Sequence, residues 1–254
     1  MAGTADALAI ELREVAKSFG QVAALADVDL AVARHSRVGI VGPSGGGKTT
    51  ILKIVAGLLD PDTGLVRVGD ATSPPQRLAR CALMPQRDLL LPWRTALDNA
   101  AIALENRGVS RAEARDRTRP LLDRFGLADF EKARPGELSG GMRQRVSFLR
   151  TLMADKDVLL LDEPFGALDS ITRAQMQEWL LQAMDAVPRT VLLVTHDVEE
   201  ALVLSQHVVV LSQRPGRVVA VLEADHRDGG SRREIVTSPE FVTLKEQALE
   251  ALGS

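Results

Sequence analysis

Eight consecutive residues carry the first chemistry in this sequence: Gly42, Pro43, Ser44, Gly45, Gly46, Gly47, Lys48 and Thr49 fit the spacing G-x-x-x-x-G-K-[ST]. Glycines at these positions let successive backbone N–H groups converge on phosphate oxygens, and a helix opening at Lys48 adds its partial positive charge. The Lys48 amine can bridge the β- and γ-phosphates of ATP, while the hydroxyl of Thr49, followed by Thr50, can ligate Mg²⁺. A second pair, Asp162 and Glu163, closes the apolar run 158–161. An acidic pair after a strand is by itself an ordinary solvated turn. Beside a phosphate cradle it has two tasks to fill: Asp162 holds the metal, usually through water, and Glu163 orients and deprotonates the attacking water. Further along, Ser139, Gly140 and Gly141 open a helical pattern running to about residue 154, making a second N-terminal anion site. The same three residues would also serve as a plain helix N-cap with a tight glycine entry.

These groups work only if a sheet presents them. Short, nearly continuous apolar runs at 37–41, 158–162 and 190–194 are each followed by a helical pattern, at 48–59, 170–186 and 198–204. Such strands, apolar on both faces, predict a parallel sheet covered on both sides, hence the α/β class. The phosphate loop then sits between a strand and a helix, and Asp162 emerges at the C-terminal edge of the sheet, where ligands of open α/β sheets bind. Between about 87 and 155 the strand-like runs vanish; helix formers dominate at 95–106 and 110–125, with Gly108 and Gly126 as stops. Near the N-terminus, 7–15 and 28–32 alternate apolar with polar, which predicts an antiparallel β layer. The organisation expected is one domain over 1–254, with a core from 1–86 and 156–224 and a helical insert from 87–155. A polar loop at 225–233 then leads to a C-terminal helix over about 239–252.

The order of these motifs resembles the ATP-binding subunits of ABC transporters. Residues 138–142 read Leu-Ser-Gly-Gly-Met, close to the family signature Leu-Ser-Gly-Gly-Gln, with Met142 replacing the usual glutamine. The resemblance implies a P-loop NTPase, RecA-like core with the β layer and helical insert already read. It also implies that Ser139, Gly140 and Gly141 cap the γ-phosphate held by a second cassette, most simply another copy of this chain. By the same resemblance Gln86 matches the glutamine that senses Mg²⁺ and the γ-phosphate, and His196 the switch histidine. Residues 167–169, ending in Asp169, match the loop along the dimer seam. Phe19 occupies the place of the ring that stacks on adenine, although core packing would use a phenylalanine equally well. The segment with Leu90, Pro92 and Trp93 lies where family members receive a permease, unless Trp93 packs the helical insert instead.

Bulk properties narrow the partners. Lys plus Arg number 31 against 34 Asp plus Glu, a net charge of -3, with no long basic stripe of the kind nucleic acid requires. No apolar run reaches the ~20 residues that span a bilayer, so a membrane role is expected to run through a partner. The single cysteine, Cys81, suits a reducing compartment and reads as a small buried thiol. Residues 90–93, 164–173 and 212–217 are similar to cassettes of the nitrate, sulfonate, taurine and thiamine-precursor importers. The resemblance thus implies a peripheral ATPase on the cytoplasmic side of the membrane, driving permease subunits that an extracytoplasmic solute-binding protein serves. The competing expectation is a soluble ATPase of the same family acting on nucleic acid or ribosomes.

Overall fold

In the computed structural model, which describes residues 8–166, 168–186, 188–224 and 232–253, the three apolar runs are strands whose alternate side chains feed two different cores. They are β3 (Arg37–Val41), β6 (Val158–Asp162) and β7 (Thr190–Thr195). Val38, Ile40, Leu160, Leu192 and Val194 point to one face; Val41, Leu159, Leu161, Val191 and Leu193 point to the other. A strand has a side-chain period of two, so burying both faces requires the unbroken apolar run seen in the sequence.

The first core is closed by an antiparallel layer of β1 (Leu8–Phe19), β2 (Val22–Ala33) and β4 (Thr63–Val68), in the order β2-β1-β4. Helix α1 (Lys48–Val55) is packed in this same core, through Ile51, Leu52, Ile54 and Val55. The expected helix to residue 59 stops early because the chain turns at Gly57, which has φ +74°. A Cβ there would stand 2.3 Å from the Pro74 carbonyl oxygen, so no other residue fits without displacing backbone. Strand β4 and helix α2 (Pro74–Arg80) add to the expected organisation, although Ser73 and Gln76 have capping-box spacing and Pro74 takes the first helical position of α2.

After β5 (Cys81–Met84) come α3 (Ala96–Glu105), α4 (Arg111–Arg124) and α5 (Gly140–Met153). Each of these helices starts on a hydroxyl that accepts a backbone N–H: Thr95 from Asp98, Ser110 from Glu113 and Ser139 from Met142. Buried Asp98 ties α3 to α4 by accepting from both Arg111 and Arg115. Burial alone would raise its carboxyl pKa, but the two guanidinium groups outweigh that and hold it far below the usual carboxylate range.

The chain returns through β6, α6 (Ser170–Ala186), β7, α7 (Val198–Leu204), β8 (His207–Leu211) and β9 (Val218–Glu223). The main sheet runs β5-β6-β7-β3-β8-β9, parallel except for β9, which pairs antiparallel with β8. Helices α8 (Arg232–Thr237) and α9 (Pro239–Gly253) follow. Arg232 and Arg233, read as the end of a polar loop, are already helical, and the rest of that loop, 225–231, lies outside the described residues. Among the described residues no helix is long and apolar enough to cross a membrane.

Candidate active site

Strand order does most of the assembly. Because β5, β6, β7 and β3 are consecutive neighbours and parallel, the residues at and just beyond their C-terminal ends share one edge. Those residues are Gln86, the pair Asp162 and Glu163, His196, and the loop 42–47.

The loop turns through Gly45 (φ +79°) and Gly47 (φ +87°), conformations that L side chains rarely adopt. At Gly47 a Cβ would also meet the Ala24 carbonyl at 2.9 Å. Helix α1 opens without a side-chain cap, which leaves its first N–H groups for an acceptor from outside the helix. Lys48 Nζ donates to the carbonyls of Gly42 at 2.7 Å and Pro43 at 3.0 Å. Burial lowers the pKa of this ammonium, while the charges of Glu163 and Asp162 oppose the shift. A buried cation lodged against two carbonyls fits a loop made for an anion.

Thr49 Oγ1 donates to Asp162 Oδ1 at 3.1 Å. Burial raises the Asp162 carboxyl above its ordinary pKa, with the Thr49 bond working the other way. A hydroxyl and a desolvated carboxylate side by side form a hard-oxygen set of the kind Mg²⁺ prefers. Glu163 then leaves the strand in a left-handed conformation, φ +48°, with its N–H donating to the Val194 carbonyl at 2.8 Å. That kink separates the two adjacent carboxylates. Gln86 Nε2 donates to Glu163 Oε2 at 3.0 Å, and His196 Nδ1 lies 3.3 Å from Oε1. The Glu163 carboxylate is thus seated between groups from two other strand ends.

A cavity of about 560 Å³ opens at this edge, lined by Phe19, Ser44, Gly45, Gly47, Lys48, Thr49, Thr50, Gln86 and Glu163, while Asp162 and His196 lie outside its lining. Phe19 comes from the β1–β2 hairpin and is 51% exposed, so the core-packing alternative fails; its ring forms a wall. Arg214 lines the same cavity and was not singled out from the sequence. Its Nε donates to the Gly45 carbonyl at 3.3 Å. Arg214 arrives there because β8 neighbours β3; the sequence marked its segment, 212–217, by similarity to importer cassettes without giving Arg214 a role.

Ser139, Gly140 and Gly141 do not line this cavity; Ser139 is exposed at the start of α5. Asp169 caps α6, accepting from the N–H groups of Ile171 and Thr172. Ala167 lies outside the described residues, and Leu168, read with them as part of a seam, is instead buried in the core. Arg173 connects this turn to the histidine segment: its Nη2 donates to the Leu168 carbonyl and its Nη1 lies 3.5 Å from Asp197 Oδ2.

The segment after Gln86 is held from beneath. Arg150 donates to the carbonyls of Asp88 and Leu89, and buried Asn99 donates to those of Leu91, Arg94 and Thr95. Trp93 is 70% exposed and Leu89 60%, so Trp93 does not pack the helical segment. Pro92 is exposed too. Leu90, expected on this surface, is 8% exposed and belongs to the core. Leu89 has φ +45°, and its left-handed turn exchanges the two leucines between solvent and interior.

Residues 25–166 match the ABC transporter family. The Taurine import ATP-binding protein TauB of Pseudomonas savastanoi pv. phaseolicola is 39% identical over 251 residues, 96% of each chain. The protein of the same name from Chromobacterium violaceum is 44% identical over 89% of this chain and 88% of its own. Among solved structures, the dimeric post-hydrolysis state of the ATP-binding cassette MJ0796 bound to ADP and Pi superposes with a TM-score of 0.78 at 28% identity, over 85% of this chain and 99% of that one. The cbiO1 structure from Clostridium perfringens, part of the cbiONQ transporter complex, shares the fold with a TM-score of 0.76 at 20% identity, over 94% and 99%. With a phosphate loop, an acidic pair and a seated glutamate on one sheet edge, and with this match across more than half its length, the chain belongs to the ABC transporter family.

Proposed function

We infer that this chain is the ATP-hydrolysing subunit of an importer, working as one of two cassettes against a separate permease. The observation that carries the reading is the seating of Glu163 between Gln86 and His196, on the wall of the cavity that Lys48 and Thr49 enter. In this reading Lys48 and the free N–H groups of α1 bind the β- and γ-phosphates, and Phe19 offers a π-face to adenine. Glu163 orients the attacking water and takes its proton; His196 and Gln86 fix the carboxylate and meet the γ-phosphate. Thr49, Asp162 and Gln86 would hold Mg²⁺, which when bound neutralises charge on the phosphates.

Ser139, Gly140 and Gly141 stand outside their own chain's cavity, which suits a role at the γ-phosphate of a second copy, with Asp169 beside the seam. ATP then favours the closed pair by binding it more tightly than the open one. Leu89, Pro92 and Trp93 form an apolar platform held by Arg150 and Asn99, and apolar surface fixed in this way suits a protein partner. The partner proposed is the permease, which places the chain at the cytoplasmic face of a membrane. A small organosulfonate is the first solute to test, because relatives at 39% and 44% identity are named for taurine import. A solute-binding protein would deliver it from outside.

The test is Glu163→Gln, which keeps shape and loses the base. Removing a positioned general base lowers turnover by about 10²–10⁴-fold, so ATP binding should persist while hydrolysis fails and a dimer accumulates with ATP on gel filtration. Hydrolysis near the wild-type rate would remove Glu163 from this role.

A further inference from the structure

One feature that ATP chemistry leaves unused is a second cavity, of about 510 Å³, which shares no lining residue with the first. It lies at the opposite end of the sheet strands. Leu159 is the second residue of β6, and Arg189 immediately precedes β7, whereas the nucleotide cavity sits at the strands' C-terminal ends. One side is built from α4 and α5, through Leu121 and Leu152; the other is built from the core, through Leu159, Trp179 and Leu180. Trp179 is fixed there by Phe125, whose ring centroid is 4.1 Å away. The interior is therefore mostly apolar, with Trp179 packed against the core.

Positive charge predominates in its lining. Arg107, Arg117, Arg124 and Arg189 line the cavity against a single acid, Asp155, a local excess of three positive charges in a chain whose net charge is -3. Asp155 is already taken, accepting from Arg107 at 3.0 Å and Arg189 at 2.9 Å. Arg117 pairs with Glu113. Arg124, exposed in the last turn of α4, has no hydrogen-bond or ion-pair partner among the described residues. Guanidinium groups present a planar fork that matches carboxylate, sulfonate and phosphate oxygens. A pit of this volume falls within the usual range for small-molecule sites, ~300–1,000 Å³.

We propose that this cavity binds a small, soluble amphiphilic anion, its acidic head held by Arg124 and Arg117 and its apolar body laid against Leu121, Leu152 and Trp179. An apolar molecule without a charge would waste the arginine mouth, and a compact inorganic anion would leave the apolar interior unfilled.

The test exploits the two tryptophans of the chain. In Trp93→Phe, Trp179 reports alone. Titration with monomeric decanoate should change its emission saturably, with decanol at least about tenfold weaker, a factor worth ~1.4 kcal/mol of head-group interaction. Arg124→Glu in the same background, at an exposed position that the fold tolerates, should weaken decanoate by a similar factor and leave binding of a fluorescent ATP analogue intact. Arg124→Lys, which keeps the charge and loses the fork, should fall between. The proposal is overturned by equal responses to decanoate and decanol, or by an Arg124→Glu titration that matches its parent. It is equally overturned by a response confined to phosphatidylglycerol vesicles, which would mean a membrane surface rather than a bound monomer.

Discussion

Glu200 sits in α7, one turn beyond His196, and is 3% exposed. Its Oε1 accepts no hydrogen bond among the described residues. Burial pushes its carboxyl up from an ordinary 4.5 to about 7; the Thr195 hydroxyl, Arg173 and His196 lower it, while Asp197 raises it. Below pH 4.5 the folded and unfolded chains both carry the proton, and Glu200 imposes no penalty. Between 4.5 and about 7 the unfolded chain loses that proton while the folded chain keeps it, so stability falls as pH rises, by ~1.4 kcal/mol per pH unit. Above 7 both forms are ionised and the penalty levels off at roughly 3 kcal/mol. Glu200→Gln mimics the protonated form and can still accept from Thr195. Urea unfolding of the two proteins at pH 5, 6, 7 and 8 should therefore give curves that diverge with pH. The variant should gain roughly 3 kcal/mol on wild type across the titration. A difference in unfolding free energy that stays flat over this range would refute the assignment of a near-neutral buried carboxyl to Glu200.

Three further outcomes follow from named contacts. Gly47→Ala should abolish binding of a fluorescent ATP analogue, since its Cβ meets the Ala24 carbonyl at 2.9 Å, whereas Gly108→Ala has a similar φ of +86° and open space around it. That second variant should cost only the backbone strain, ~1–2 kcal/mol in thermal unfolding, and bind the analogue normally. Asp98→Asn should destabilise by about 2 kcal/mol, the worth of hydrogen bonds to a charged group. Because the Asp98 carboxyl is held down in the fold, this contribution is present above its ordinary 3.8 and lost as pH falls below it, which acid unfolding will show. Trp93→Asp should leave ATP hydrolysis by the isolated cassette unchanged and prevent co-purification with the permease; a complex recovered in normal yield would exclude Trp93 from the contact.

Much of the phosphate-binding apparatus is legible in the sequence because its determinants are local. The loop from Gly42 to Thr49, the strand that ends in Asp162, and the helix caps Ser139 and Asp169 are each specified within a few residues by periodicity, glycine conformation and capping chemistry. Other features depend on which segments become neighbours, and a one-dimensional pattern does not encode that directly. Strand β4 forms because β1 offers it an edge. Helix α1 ends where it does because Gly57 passes under Pro74. Leu89 and Leu90 exchange places through a turn that Arg150 braces from another helix. Arg214 reaches the nucleotide cavity through the pairing of β8 with β3. Glu200 owes its raised pKa to burial, and the second cavity owes its four arginines to three separate segments. The sequence alone determined the chemistry of the phosphate loop and the α/β class. Tertiary structure decided which distant groups share a wall with it, because burial and charge act through space rather than along the chain.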